Sequence, residues 1–227
     1  MRPEYGLKCP KKKQCCGTER KGKGCQLTEQ CDIEGTKRKN IVDMALGFTA
    51  MMRIFSEGSK VKIQSKLEQV FSRLDKIMSR DDYEVCHRSF CDWFTREIRS
   101  AEKNLKNGKI QRSQAASYGQ AAKVLDIAAK VYVYYCSQPT ADIAGRIMPL
   151  LHGAVDTPIM EHLKKSRYAT IPIRAATIKD MDETAYQALQ SVVLAESRAG
   201  ELHPVQYDDI MWRQLNRTAK MAVAGDA

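Results

Sequence analysis

Glycine and proline are scarce in this sequence, which has 13 glycines and 7 prolines among 227 residues. Long apolar runs are also missing, because none approaches the roughly 20 residues that a membrane-spanning helix needs. The N-terminal stretch MRPEYGLKCPKKKQCC lacks the apolar core of a secretory signal peptide. These absences predict a cytoplasmic protein with no membrane contact. Since the cytoplasm is reducing, the eight cysteines do not predict a disulfide framework.

The sequence also has no alternating polar–apolar strand series and no internal repeat. Leu, Ala, Lys, Arg and Glu, which are good helix formers, fill the middle of the chain. We therefore expect an all-α fold in one monomeric chain that is long enough to bury a core. The apolar spacing predicts eight helices, within residues 40–58, 59–79, 79–108, 117–136, 139–151, 152–166, 179–200 and 203–223.

Positive charge is concentrated at the N-terminus of this chain, whose net charge is +10. Residues 1–39 hold eleven Lys and Arg against five Asp and Glu, which is more than half of the total excess. A basic arm of this kind is typical of proteins that bind a polyanion, and nucleic acid is the first candidate. The other interpretation is a solubilising tail.

We expect two regions, a basic cysteine-rich extension over residues 1–36 and a helical domain over residues 37–227. Four thiolates from the extension could hold zinc or an iron–sulfur cluster. The alternative is a tail with free thiols, because the spacing includes no CxxC pair. The candidate ligands are four of the five cysteines Cys9, Cys15, Cys16, Cys25 and Cys31.

The stretch CHRSFC places His87 and Cys91 four residues apart, on one face of a predicted helix. Such a pair does not fill a tetrahedral metal shell. The pattern therefore favours packing in the core or a polar helix face over a metal site.

The stretch SYGQAAKVLDIAAKVYVYYC predicts an apolar helix that starts near Gln120 and carries Lys123 in its first turn. The positive end of the helix dipole and partial burial would both lower the pKa of this lysine, as an amine nucleophile requires. The alternative is an ordinary solvated charge. Lys130 has a possible partner in Asp126, four residues before it. Gly119 would allow another backbone to approach closely.

Downstream, the stretch MPLLHGAVDTPIM places Asp156 directly before a short helix that begins with Thr157 and Pro158. An aspartate at this point is typical of a helix N-cap. Within the same stretch, His152 could cap the loop or contact a phosphate.

Together, YGQAAKVLDIAAKVYVYY and HGAVD resemble the helix-hairpin-helix DNA glycosylases, and most of all their divergent archaeal 8-oxoguanine DNA glycosylase branch. In that superfamily, a glycine-containing turn, a lysine and an apolar helix precede a Val-Asp at the start of a later helix. The resemblance is close over residues 118–156 and extends loosely to YDDIMW near the C-terminus. Two features depart from it: SYGQ replaces the usual LPGVG hairpin, and the cysteines are N-terminal where the superfamily's iron–sulfur loop is C-terminal.

The resemblance implies a glycosylase-like helical fold and DNA as the partner. It gives Lys123 the role of amine nucleophile at the sugar C1′, and Asp156 the role of stabilising the cationic sugar and assisting proton transfer. If Lys123 is not the nucleophile, Asp156 would activate water instead. The candidate DNA-binding residues, which would contact the flipped base or the backbone, are Tyr118, Gly119, Gln120 and His152, and Trp93 and Trp212 are further aromatic candidates for stacking.

We therefore expect a DNA glycosylase with a possible lyase activity. Base-excision repair and the removal of modified bases from phage DNA are both open as its setting. The alternative is a non-catalytic helical nucleic-acid-binding protein, in which Lys123 would be exposed and Asp156 would only cap a helix.

Overall fold

The computed structural model describes residues 32–104 and 109–225, and this part of the chain is mostly helical, as the composition predicts. It contains eight α-helices: α1 Ile33–Gly47, α2 Ser59–Phe71, α3 Arg80–Glu97, α4 Tyr118–Ala129, α5 Ala141–Ile147, α6 Thr157–Leu163, α7 Glu183–Ala199 and α8 Pro204–Gly225. The five N-terminal cysteines and nearly all of the predicted extension lie outside the described residues.

Helix α4 forms the centre of the fold, and ten of its twelve residues are buried. It packs against α3 on one side, and against α7 and a short 3-10 helix, Ile178–Asp180, on another. Small residues such as Ala121, Ala122 and Ala128 allow these neighbours to approach closely. The position of α4 therefore depends on helices that come both before and after it in the chain.

The end of α4 changes its winding, because Lys130–Tyr135 form a π-helical segment that continues the helix. π-Helical segments are rare in proteins overall, and those that occur are often found at functional sites. This one ends at Cys136, whose amide donates to the carbonyl of Val131.

The first helix differs from the sequence prediction at both ends, and its start at Ile33 lies within the predicted extension. The helix predicted over residues 40–58 ends at Gly47 and is followed by a short 3-10 helix, Ala50–Arg53. Gly58 has a positive φ of 78° and stands at the N-cap of α2, a conformation that glycine adopts without strain.

Helix α3 ends at Glu97, well before the predicted end at Asn107-Gly108. The chain becomes extended at Ile98 and forms a small antiparallel hairpin from β1 Lys103–Asn104 and β2 Ile110–Gln111. The Asn-Gly pair is equally typical of a hairpin connection, and the sequence prediction used only its meaning as a helix end.

Candidate active site

A cavity of about 570 Å³ opens beside the C-terminal half of α4. Its wall is formed by α4 and its π-helical end, the loop before α6, the first turns of α8 and the segment that follows α1. Both predicted catalytic residues line it. The polar and aromatic side chains that matter most are Lys123, Lys130, Asp156, Asp208, Asp209 and Trp212.

Lys123 is half-buried on the cavity wall. Because α4 begins at Tyr118, the lysine lies in the second turn of the helix, and the predicted place in the first turn is wrong. Burial lowers the pKa of Lys123, the nearby Asp156 carboxylate opposes this, and the positive charge of Lys130 lowers the pKa further. The amine is therefore easier to deprotonate than an exposed lysine.

Asp156 is the N-cap of α6, as the sequence predicts, and its Oδ1 accepts a hydrogen bond of 3.0 Å from the amide of Ile159. The same residue lines the cavity with Lys123, and its charge acts on the pKa of that lysine. The cap fixes one carboxylate oxygen. The structure therefore brings Lys123 and Asp156, 33 positions apart, to one site.

Lys130 is bound by Asp208, with Asp209 at 3.5 Å, and the sequence-based pairing with Asp126 is wrong. Asp208 also accepts a hydrogen bond of 2.7 Å from the amide of Ala154, which fixes the loop that leads to Asp156. Burial raises the pKa of Asp208 to about 6, although Lys130 and the Ala154 amide favour its ionised form. The site thus presents an ammonium donor and a carboxylate acceptor side by side.

Of the three aromatic side chains considered for stacking, Trp212 alone is in the described cavity lining. It is 51% exposed, so that a flat face is accessible. Trp93 packs beside Phe90 and under Lys66, and Tyr118 is buried.

Tyr118, Gly119 and Gln120 lie at the buried start of α4 and not in the cavity lining. Gln120 forms a capping box with Ser117, whose amide donates to Gln120 Oε1 over 2.9 Å. Gly119 donates to the Met181 carbonyl, and an added Cβ would come within 2.6 Å of the Ile178 carbonyl. The close backbone approach expected at Gly119 is confirmed, while DNA binding by these three residues stays a prediction.

His152 is buried and belongs to a second polar group, here called the buried cluster, that lies beside the cavity lining rather than in it. The buried cluster consists of Glu84, His87, Asp126, His152 and Tyr186. His87, Asp126 and His152 each offer one possible metal-ligating atom, and these atoms lie within 4.8 Å of one another.

The sequence reasoning did not single out Lys130 and Asp208 as site residues. A signal for Asp208 existed, because Asp208 and Trp212 are four positions apart in YDDIMW and must share a helix face. For Lys130, the sequence indicated Asp126 because it is four positions away, whereas the actual partner, Asp208, is distant in the chain.

A comparison with protein-family models, with curated proteins and with solved structures finds no match to this chain. Within the described residues, no helix is both long and apolar enough to cross a membrane.

Proposed function

We propose that this protein is a DNA glycosylase that removes a damaged or modified base, with Lys123 as the nucleophile. The observation that carries the proposal is the shared cavity of Lys123 and Asp156. An amine nucleophile needs a lowered pKa, and burial supplies it here. A carboxylate in the same cavity, such as Asp156, would take up a proton from the amine and stabilise positive charge on the sugar.

The reaction would begin when the neutral Lys123 amine attacks C1′ of a flipped-out nucleotide. The bond between C1′ and the base breaks, and the base leaves with the electron pair and gains a proton. The attached amine loses one proton, which Asp156 would accept, and the C1′–O4′ bond breaks as O4′ gains a proton, leaving a protonated Schiff base. Loss of a C2′ proton with departure of the 3′ phosphate then nicks the strand, and water hydrolyses the C=N bond to release the enzyme.

The rest of the cavity suits a flipped base. Trp212 offers an aromatic side chain for stacking, and Lys130, which Asp208 holds at the cavity wall, would donate to the edge of a base. These contacts would select the base, whereas Lys123 and Asp156 would act on the sugar. The net charge of +10 supports a DNA partner. Repair and defence against phage DNA remain the two settings for this activity.

The test is a nicking assay on duplex DNA with a panel of damaged and phage-type modified bases, with and without alkali, and with borohydride to trap a Schiff base. We expect nicking without alkali and a trapped adduct, both lost in Lys123→Gln. Lys60→Gln is the matched control, because Lys60 is an exposed lysine that pairs with Asp43 on the surface.

Asp156→Asn separates the chemical role of this residue from its role as a helix cap. Asparagine caps a helix as well as aspartate does, so that stability is retained while base release is lost. Asp156→Ala would lose about 1 kcal/mol of stability in addition.

The two remaining outcomes are also informative. Strand cleavage only after alkali, lost in Asp156→Asn and kept in Lys123→Gln, would replace the lysine mechanism by activation of water. DNA binding without base loss across the panel would favour the non-catalytic nucleic-acid-binding protein.

A further inference from the structure

The buried cluster places four polar side chains inside an otherwise apolar core, with the partly exposed Glu84 at its edge. His87, Asp126, His152 and Tyr186 are each at most 2% exposed. They come from α3, α4, the loop before α6, and α7, so that only the tertiary fold assembles them. Buried polar groups are costly unless every donor and acceptor is satisfied. The number of hydrogen atoms that these groups carry can therefore be compared with the number of contacts that need one.

Six contacts join the side chains of the buried cluster to one another and to Cys91, and one of them places the Tyr186 hydroxyl 3.1 Å from His87 Nε2. His152 Nε2 lies 2.7 Å from Glu84, and His152 Nδ1 lies 2.8 Å from the Tyr186 hydroxyl. That hydroxyl is 2.8 Å from Asp126 Oδ2, and His87 Nε2 is 3.1 Å from Asp126 Oδ1. The outer nitrogen of His87, Nδ1, lies 3.7 Å from Cys91 Sγ.

Even when the hydrogen on His87 Nε2 is shared between Asp126 Oδ1 and the Tyr186 hydroxyl, these contacts need one hydrogen more than the groups supply. Two neutral imidazoles, one phenol and one thiol carry one hydrogen each, and ionised carboxylates carry none. If both histidines are neutral, the carboxylates of Glu84 and Asp126 also leave two negative charges on the cluster. The cationic group nearest to Asp126 would be His87 in its protonated form. A bound cation would resolve both the missing hydrogen and the uncompensated negative charge, because it replaces a hydrogen bond and adds positive charge.

We propose that the buried cluster binds a divalent transition-metal ion of the zinc type through His87 Nε2, Asp126 Oδ1 and His152 Nδ1. With these three atoms on the ion, the remaining hydrogens suffice. His152 Nε2–H donates to Glu84, His87 Nδ1–H donates to Cys91, and the Tyr186 hydroxyl donates to Asp126 Oδ2. The ion's two positive charges balance the two carboxylates.

One pair of the proposed ligand atoms has the spacing that a tetrahedral ion requires, and all three atoms lie within 4.8 Å of one another. His87 Nε2 and Asp126 Oδ1 are 3.1 Å apart, close to the roughly 3.3 Å edge of a tetrahedron with bonds of about 2.0–2.1 Å. The Tyr186 oxygen, near both histidine nitrogens, is in place as a fourth neighbour. Glu84 holds the outer nitrogen of His152, as a carboxylate commonly does for a metal-bound histidine.

Such a site would be structural, since its ligands are buried on all sides. It would fix the loop that carries Asp156 against α3 and α4. The proposal concerns metal binding alone and does not depend on the glycosylase activity.

The test must separate this site from any metal on the N-terminal cysteines. The full-length chain is therefore prepared with those five cysteines changed to serine, and the proposed ligands are kept. After exposure to zinc and removal of the excess by dialysis, elemental analysis is expected to find one zinc per chain. His87→Gln in the same background should lose it, and His162→Gln, at a partly exposed histidine, should keep it.

A second measurement needs no core variant, which guards against a His87→Gln protein that does not fold. X-ray absorption at the zinc edge is measured on the variant whose five N-terminal cysteines are serine. It should show nitrogen and oxygen ligands only. Chelation should lower its unfolding temperature, and zinc should restore it. A folded protein that retains no zinc would overturn the proposal and leave the cluster held by hydrogen bonds and a shared proton. Sulfur ligands at the zinc would overturn it as well.

Discussion

At the scale of the residue, Lys123 gains its character from its surroundings. The helix dipole, which the sequence suggested as a cause, loses importance because the residue is a turn further from the helix start. Burial and the neighbouring charge of Lys130 lower the pKa instead. Asp156 opposes this lowering, so that the carboxylate of the proposed reaction acts on the charge of the amine.

Removing the charge of Lys130 should move the pH dependence of Schiff-base formation. The reactive form is the neutral amine, whose fraction increases as pH increases through the pKa of Lys123. Because Lys130 lowers that pKa, Lys130→Gln should raise it, and the rising limb should move to higher pH. The measurement is the rate of borohydride trapping on DNA with an abasic site, across pH.

Abasic DNA is used because it has no base to recognise. Since Lys130 is also proposed to contact the base, this substrate isolates its effect on the pKa of Lys123. Lys60→Gln serves as the control and should leave the profile unchanged. An unchanged profile in Lys130→Gln would show that Lys130 does not tune the amine.

At the scale of the element, α4 owes its position to a close approach at its first turn. Ser117 and Gln120 cap the helix, and Gly119 lies against the 3-10 helix Ile178–Asp180. Glycine is required here for steric reasons, since a Cβ would clash with the backbone of Ile178 and the side chain of Met181.

Gly119→Ala should therefore destabilise the protein by about 1–3 kcal/mol, the usual cost of overpacking. The new Cβ would lie 2.6 Å from the Ile178 carbonyl oxygen and 2.7 Å from Met181 Cβ. Chemical denaturation, followed by circular dichroism, gives the free energy of unfolding. An unfolding free energy equal to that of the unchanged protein would contradict the packing seen at this point.

Gly145→Ala is the matched control, because Gly145 lies within α5 and an added Cβ would have no atom within 4 Å. Alanine has the higher helix propensity, so that this change should stabilise the protein by up to about 1 kcal/mol.

At the scale of the whole molecule, charge is the property that the sequence distributes most unevenly. The lysines Lys11, Lys12 and Lys13 follow one another in the basic N-terminal segment. If this segment contacts DNA, each phosphate contact contributes about 0.9 to the slope of log affinity against log salt.

Changing these three lysines to glutamine in the full-length chain should reduce that slope by up to roughly 2.7, with weaker binding at low salt. Fluorescence anisotropy with labelled duplex DNA measures it over a series of salt concentrations. As a control with the same change in net charge, Lys60, Lys62 and Lys76 are changed together, since all three are exposed in the helical region. Equal slopes for the two triple variants would show that net charge matters and its position does not.

Much of the architecture followed from local pattern. Each of the eight predicted helices has a counterpart in the structure, and the cap at Asp156 was predicted from its place before Thr157 and Pro158. The boundaries were less accurate where one signal has two meanings, as Asn107-Gly108 has. The pairing of Lys130 was wrong because the sequence shows only partners within a turn or two.

By itself, the sequence determined the helical class and the uneven charge, because helix periodicity and composition are local properties. It also indicated Lys123 and Asp156 as the residues to follow, through the local resemblance to the glycosylases. Only the tertiary structure decided that Lys130 binds Asp208 and that Asp126 meets His87 and Tyr186 in the core. These partners are separated by 39 to 78 positions in the chain. They meet because the helices that carry them pack together, and a local pattern does not encode which helices those will be.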